Sequence, residues 1–178
     1  MRIIGGKLKG IRISPPPNLP VRPTTDMAKE ALFNILNNQY DFEELRVLDL
    51  FSGTGSLSLE FASRGCMEIV SVDKNTGCYN FLKNTAQQHG LTNIKAYKAD
   101  VFKFLEQETE KFDLIFADPP FDIPQIPLIP EVVFRKKLLS PNGLLIVEHP
   151  TVKRLDKHPN FVEQRKYGYS SFSFFEYK

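Results

Sequence analysis

The sequence predicts an α/β domain, a mostly parallel sheet covered by helices, and three observations predict it. From position 46 onward, short apolar runs at 46–51, 68–73, 94–100, 112–118 and 144–148 alternate with stretches of helical spacing. Gly65 and Gly90 each stand where a helix closes in a left-handed turn. The 178 residues, 42% hydrophobic and 25% charged, suit one core of ordinary size and exclude a disordered or collagen-like chain.

The elements follow in order. Residues 2–14 alternate apolar pairs with Lys7, Lys9 and Arg12 around Gly5, Gly6 and Gly10, the pattern of a small twisted hairpin. Five prolines within 15–23 make an extended linker. Thr24-Thr25-Asp26 caps a helix whose apolar positions Ala28, Ala31, Leu32, Ile35 and Leu36 recur at helical spacing. Further helices are predicted over 56–64, 76–89, 101–108 and, opened by Pro130, 131–139. Ser140-Pro141-Asn142-Gly143 has the composition of a turn, and 161–177 that of two strands joined near Tyr167-Gly168. Residues 121–130, with Pro124, Pro127 and Pro130, form the one long irregular loop. The chain thus divides into an extension, 1–23, and a main domain, 24–178.

Net charge is only +2, but it is unevenly spread. Residues 1–30 carry six Lys/Arg against two acids and 153–178 six against three, so the middle is acidic. Basic ends that met on one face would clamp a phosphate backbone. Only Cys66 and Cys78 occur, without the short Cys/His spacing of a zinc site, so no metal is expected. There is no run of eighteen apolar residues and no secretory h-region at the start, which predicts a cytoplasmic, unanchored protein.

The chemistry concentrates after the apolar runs. The run containing Asp49 leads into Ser52-Gly53-Thr54-Gly55, where glycines admit a ligand to the backbone and a helix start offers free amides. Ser58 holds the third position of a dinucleotide fingerprint, which disfavours a nicotinamide cofactor. Asp49 instead suits a ligand with a cationic amino group, as S-adenosylmethionine has. Asp73 closes the second run, where a carboxylate accepts ribose hydroxyls, and Asp100 closes the third, in reach of an adenine amine. The fourth run ends in Asp118-Pro119-Pro120-Phe121. Two prolines stiffen the chain and leave the Asp118 carboxylate and Pro119 carbonyl as acceptors for an aromatic NH2 group, on whose ring Phe121 would stack. That tetrapeptide suits guanine N2, adenine N6 in DNA or RNA, and, less well, a protein glutamine amide.

With Asp49-x-x-x-Gly53-x-Gly55 and Asp118-Pro-Pro-Phe121 the chain resembles the S-adenosylmethionine-dependent methyltransferases. Arg2-Ile3-Ile4-Gly5-Gly6, Gly10, Arg22-Pro23-Thr24, Glu30-Ala31-Leu32-Phe33-Asn34, Leu48-Asp49-Leu50-Phe51 and Ser63-Arg64-Gly65 make it similar, more narrowly, to the bacterial RsmD family. The resemblance implies a Rossmann-like class I methyltransferase fold with a seven-stranded sheet, its last strand antiparallel, helices on both faces and a small N-terminal β-hairpin that helps hold RNA. It implies methylation of the N2 amine of a guanine in 16S rRNA. Implied catalytic residues are Asp118, Pro119, Pro120 and Phe121, and implied cofactor contacts Asp49, Phe51, Gly53, Thr54, Gly55, Asp73, Lys74, Asp100 and Val101. Arg2, Lys7, Lys9, Arg12, Arg22 and Thr24 are the implied RNA contacts. The implied partner is 16S rRNA or a small-subunit assembly intermediate, met by a monomeric protein away from any membrane. A protein that binds RNA without catalysis is the rival from another class. Two departures from the family pattern are the proline-rich 124–130 loop and the serines at 52 and 58.

Overall fold

The computed structural model describes residues 1–21 and 24–178. Its elements run α1 (Asp26–Asn37), a 3-10 turn (Phe42–Glu44), β1 (Arg46–Leu50), α2 (Ser56–Ser63), β2 (Glu68–Asp73), α3 (Thr76–Gln88), β3 (Ile94–Lys98), α4 (Val101–Gln107), β4 (Phe112–Ala117), α5 (Leu128–Arg135), β5 (Leu139–Pro150), β6 (Phe161–Tyr167) and β7 (Ser170–Phe175). The strands form one seven-stranded sheet in the order β3-β2-β1-β4-β5-β7-β6. β1 to β5 pair in parallel, while β7 runs antiparallel between β5 and β6. The Rossmann-like class I methyltransferase fold expected from the sequence is the fold observed.

Strand alternation builds two apolar layers. Val47, Ile69, Leu114 and Phe116 face α1, α2 and α3, whereas Leu48, Leu50, Val70 and Ile115 face α4 and α5. Asp49 therefore points to the α2 side, opposite Ser71 in the β1–β2 register.

α2 is buried from Leu57 through Ser63, which a helix lying on a sheet alone would not be. Its outer surface is covered by residues 1–13, whose Ile3 and Ile13 share a core with Leu32, Phe33 and Phe61. Gly6 makes this close approach possible: it sits at φ +77°, and a Cβ there would lie 2.0 Å from the Ser63 carbonyl oxygen. The expected hairpin is reduced to a single antiparallel bridge, Arg2 with Arg12. The Gly5-Gly6 stretch is spent on docking, with the Lys7 N–H donating to the Ser63 carbonyl at 2.9 Å, and cannot extend a ladder.

Two other expectations are corrected. Residues 140–143 are a bulge inside β5, because Phe112 pairs with Leu139 and Leu114 with Leu144. α5 begins at Leu128, so Pro130 lies in its first turn, where the missing N–H has no intrahelical role, and the preceding loop is shorter than predicted.

Candidate active site

Along the rim formed by the C-terminal ends of the parallel strands runs one cavity of about 1090 Å³. Its lining includes Asp49, Phe51, Gly53, Thr54, Asp73, Lys74, Asp100 and Val101 together with Asp118, Pro119, Pro120 and Phe121. An open parallel sheet binds ligands at this rim. The volume lies at the upper end of the range for ligand pockets.

The three carboxylates are held differently. Asp49 is 2% exposed, and its Oδ2 accepts the Ser58 hydroxyl at 2.5 Å, which lies 2.6 Å from the Ser71 hydroxyl. Burial pushes the Asp49 carboxyl up to about 7, opposed by the Ser58 bond and reinforced by the Asp73 charge. Asp73 braces the glycine turn: Oδ2 accepts the Gly53 N–H and Oδ1 the Asn75 N–H, both at 2.9 Å. Each oxygen keeps a lone pair for a ribose hydroxyl. Asp100 caps α4 through the Lys103 N–H at 3.1 Å while lining the cavity.

The glycine turn is shaped by its neighbours. Gly55 caps α2 at φ +87°, where a Cβ would meet Leu82 Cδ1 at 2.3 Å, so it serves helix packing and does not line the cavity. Phe51 adopts φ +57°, a costly conformation for a side chain of its size, and packs edge-on against Phe102. The Asp118 N–H donates to the Leu50 carbonyl at 3.3 Å, tying the tetrapeptide to β1. The Pro120 carbonyl accepts the Ile123 N–H at 3.4 Å and turns the chain back, so that Ile123 and Gln125 also line the cavity.

Several contributors were not legible in the sequence. The proline-rich linker is a cavity wall: Pro15, Pro16, Pro17, Leu19, Pro20 and Val21 all line it. A methyl added at Gly77 would stand 2.6 Å from Leu19 Cδ2, and one at Gly53 3.2 Å from Val21 Cγ1, so both glycines admit the linker. A glycine in the first turn of α3 was the available signal. Buried Glu60 is a second omission. Its Oε1 accepts the Ile4 N–H at 2.9 Å and faces Lys29 Nζ at 3.3 Å, and its Oε2 accepts the Gly5 N–H at 2.8 Å and Arg64 Nε at 2.9 Å. Lys29 also donates to the Arg2 carbonyl at 2.8 Å and to Ser56 Oγ at 3.2 Å.

Of the basic positions singled out, Lys7, Lys9 and Arg12 are exposed on the N-terminal segment and Arg2 pairs with Asp26 at 3.6 Å. None of the four lines the cavity, whereas Thr24 does. Arg22 lies outside the described residues. Cys78 lines the cavity, but burial, with the Asp73 charge adding, pushes its thiol up to about 11, so it is no nucleophile at neutral pH. Among the described residues, no helix is long and apolar enough to cross a membrane.

The family model described as Conserved hypothetical protein 95 matches residues 1–176. The chain is 30% identical over 161 residues to ribosomal RNA small subunit methyltransferase D of Buchnera aphidicola subsp. Baizongia pistaciae, covering 90% of this chain and 82% of that protein. The protein of the same name from Escherichia coli K12 is 32% identical over 150 residues, covering 83% and 71%. A solved hypothetical protein of Thermus thermophilus is 29% identical with TM-score 0.87, covering 99% of both chains. The T. thermophilus 16S rRNA N2 methyltransferase RsmC, solved with AdoMet and guanosine, shares the fold at 24% identity and TM-score 0.72, over 100% of this chain and 49% of that one. A family match along nearly the whole chain, with curated relatives of about 30% identity named as methyltransferases, leads to one conclusion: this protein belongs to the RsmD family and is an S-adenosylmethionine-dependent methyltransferase.

Proposed function

We propose that the enzyme transfers a methyl group to the exocyclic N2 amine of a guanine in 16S rRNA, acting as a cytoplasmic monomer on the RNA or on a small-subunit assembly intermediate. The observation that carries this reading is the single cavity shared by the Asp49, Asp73 and Asp100 carboxylates and the Asp118-Pro119-Pro120-Phe121 loop. The names of the curated relatives, which act on small-subunit rRNA, support the choice of RNA.

The residues fit S-adenosylmethionine by their donor set. Asp49 would take the ammonium, the turn at Gly53 and Thr54 the aminoacyl end, Asp73 the ribose hydroxyls and Asp100 the adenine amine, with Phe51, Lys74 and Val101 around them. Bound there, the sulfonium supplies an electrophilic methyl group. The chain's own work is on the acceptor. A guanine N2 is a poor nucleophile because its lone pair is delocalised into the ring. The Asp118 carboxylate and Pro119 carbonyl accept its two N–H bonds, turn the lone pair out of conjugation and stabilise the positive charge that forms on nitrogen; with S-adenosylhomocysteine left as the neutral thioether, the methylated nitrogen sheds one proton to the Asp118 carboxylate. Phe121 stacks on the base. Extracting that base from folded RNA costs roughly a few kcal/mol. Phosphate contacts from Lys7, Lys9 and Arg12, with Arg2 beside them and Thr24 at the cavity, offset it, and the sequence adds Arg22 to the candidates.

The test is incubation with undermethylated small-subunit particles and labelled S-adenosylmethionine, then digestion to nucleosides. N2-methylguanosine is expected, whereas N6-methyladenosine or an unlabelled RNA would overturn the reading.

A pH dependence follows from Asp49. Its carboxyl titrates at about 7 in the ligand-free cavity, and a cation placed beside it favours the carboxylate, so binding lowers this value and releases a proton. Affinity for S-adenosylmethionine is therefore full above about 7 and falls by up to about tenfold per pH unit below it. Calorimetry in buffers of different ionisation enthalpy should detect the released proton, and Asp49→Asn should abolish it. Equal affinity at about pH 5.5 and 8 would remove the ammonium assignment.

A further inference from the structure

A second basic surface stands on the same rim as the cavity. Val147 pairs with Ala117, the last residue of β4, and β5 continues three residues further to Pro150. The chain there projects roughly 10 Å past the end of β4. It then turns through residues 151–154, which are tied to the β6–β7 tip: the Thr151 N–H donates to the Tyr169 carbonyl at 3.0 Å, and Thr151 Oγ1 lies 3.1 Å from Ser171 Oγ. Lys153 Nζ donates to the Ile123 carbonyl at 3.3 Å, joining this platform to the loop that follows the tetrapeptide. On it, Tyr169 is 96% and Val152 92% exposed, the two most exposed large apolar side chains among the described residues. Residues 151–154 and 165–170 hold four basic and no acidic side chains. Arg165 is paired with Glu163, whereas Lys166 is exposed and Arg154, paired with Asp156, keeps a side chain 76% exposed.

Resting on the RNA-methylation reading of the cavity, we propose that this platform binds a single-stranded RNA segment flanking the target nucleotide. Tyr169 stacks on a base, Val152 covers its edge, and Arg154 and Lys166 meet the phosphates. An apolar area of two side chains is too small to anchor a protein, and a net basic rim complements phosphate. An aromatic ring held in water on a hydrogen-bonded turn is the element by which single strands are gripped without sequence readout. The placement also suits an extruded base: the strand beside it must be held once its stacking is lost.

The experiment measures binding of full-length protein to a fluorescein-labelled single-stranded RNA and to a 16S rRNA transcript, with S-adenosylmethionine affinity read by calorimetry. Tyr169→Ala is expected to weaken RNA binding roughly tenfold, and Tyr169→Phe to restore it. Arg154→Ala with Lys166→Ala should lower the salt slope by about 1.4, with cofactor affinity unchanged in every variant. Variants that bind and methylate RNA like wild type would overturn the platform while leaving the catalytic reading standing. A loss seen only on protein-bearing particles would assign the surface to a protein and overturn it too. A wild-type enzyme that methylates no RNA would remove both.

Discussion

Replacing Asp118 by Ala is expected to lower methyl transfer by about two to three orders of magnitude while leaving S-adenosylmethionine binding near wild type. Asp118 lines the cavity and is not among the proposed cofactor contacts, so its loss removes an acceptor from the target amine and none from the cofactor. A preorganised acceptor that meets charge only as it develops is worth about 2.7–4 kcal/mol, which sets the size of the effect. Asp118→Asn keeps an acceptor oxygen but loses the charge, and should fall between the two. Single-turnover transfer measures the step directly. A rate for Asp118→Ala within a few-fold of wild type would show that the carboxylate does not act on the amine.

The second large effect is on stability. Glu60→Ala should destabilise the fold by about 3–5 kcal/mol, because it strands a buried cation. Lys29 is 1% exposed, and burial lowers its pKa against the pull of Glu60. The same substitution orphans the Ile4 and Gly5 N–H groups, which end on the Glu60 oxygens. Lys29→Met combined with Glu60→Leu should recover part of the loss, since removing both charges also removes their desolvation cost. The functional consequence is specific. Residues 1–13 carry Lys7, Lys9 and Arg12 and lead into the linker that walls the cavity, so unlatching them should weaken RNA binding and cofactor retention together. Urea titration of Glu60→Ala is the check, and a free energy within about 0.5 kcal/mol of wild type would contradict the latch.

These two residues differ in how visible they were. Asp118 was legible because Pro119 and Pro120 fix the local backbone whatever surrounds it, so a tetrapeptide carries its own geometry. Asp73 and Asp100 were legible because each closes an apolar run, and Asp49 because its run leads straight into the glycine turn; parallel strands bring such positions to one rim. Glu60 was not. In the string SLSLEFAS it has the composition of an ordinary surface charge, and only the covering segment turns it inward. Ser58 was noticed as a small residue in a glycine's place, yet its role as the donor to Asp49 depends on β1 and α2 packing face to face. The turn at 140–143 failed for a related reason: Pro-Asn-Gly signals a reversal locally, but the β4 partner recaptures the strand at Leu144 and leaves a bulge.

What the sequence determined by itself was whatever short-range rules govern: strand and helix alternation, the glycine turn, the stiff Asp-Pro-Pro-Phe loop, and through them the class of chemistry. What only the tertiary structure decided was the placement of parts far apart in the chain. The linker became a cavity wall, the N-terminal segment became a cover over α2, and the Tyr169 turn came to rest on the rim that carries the cavity. Those outcomes depend on which surfaces are left for one another after the sheet has formed, and contacts between distant segments are set by burial and shape across the whole core, which no local pattern records.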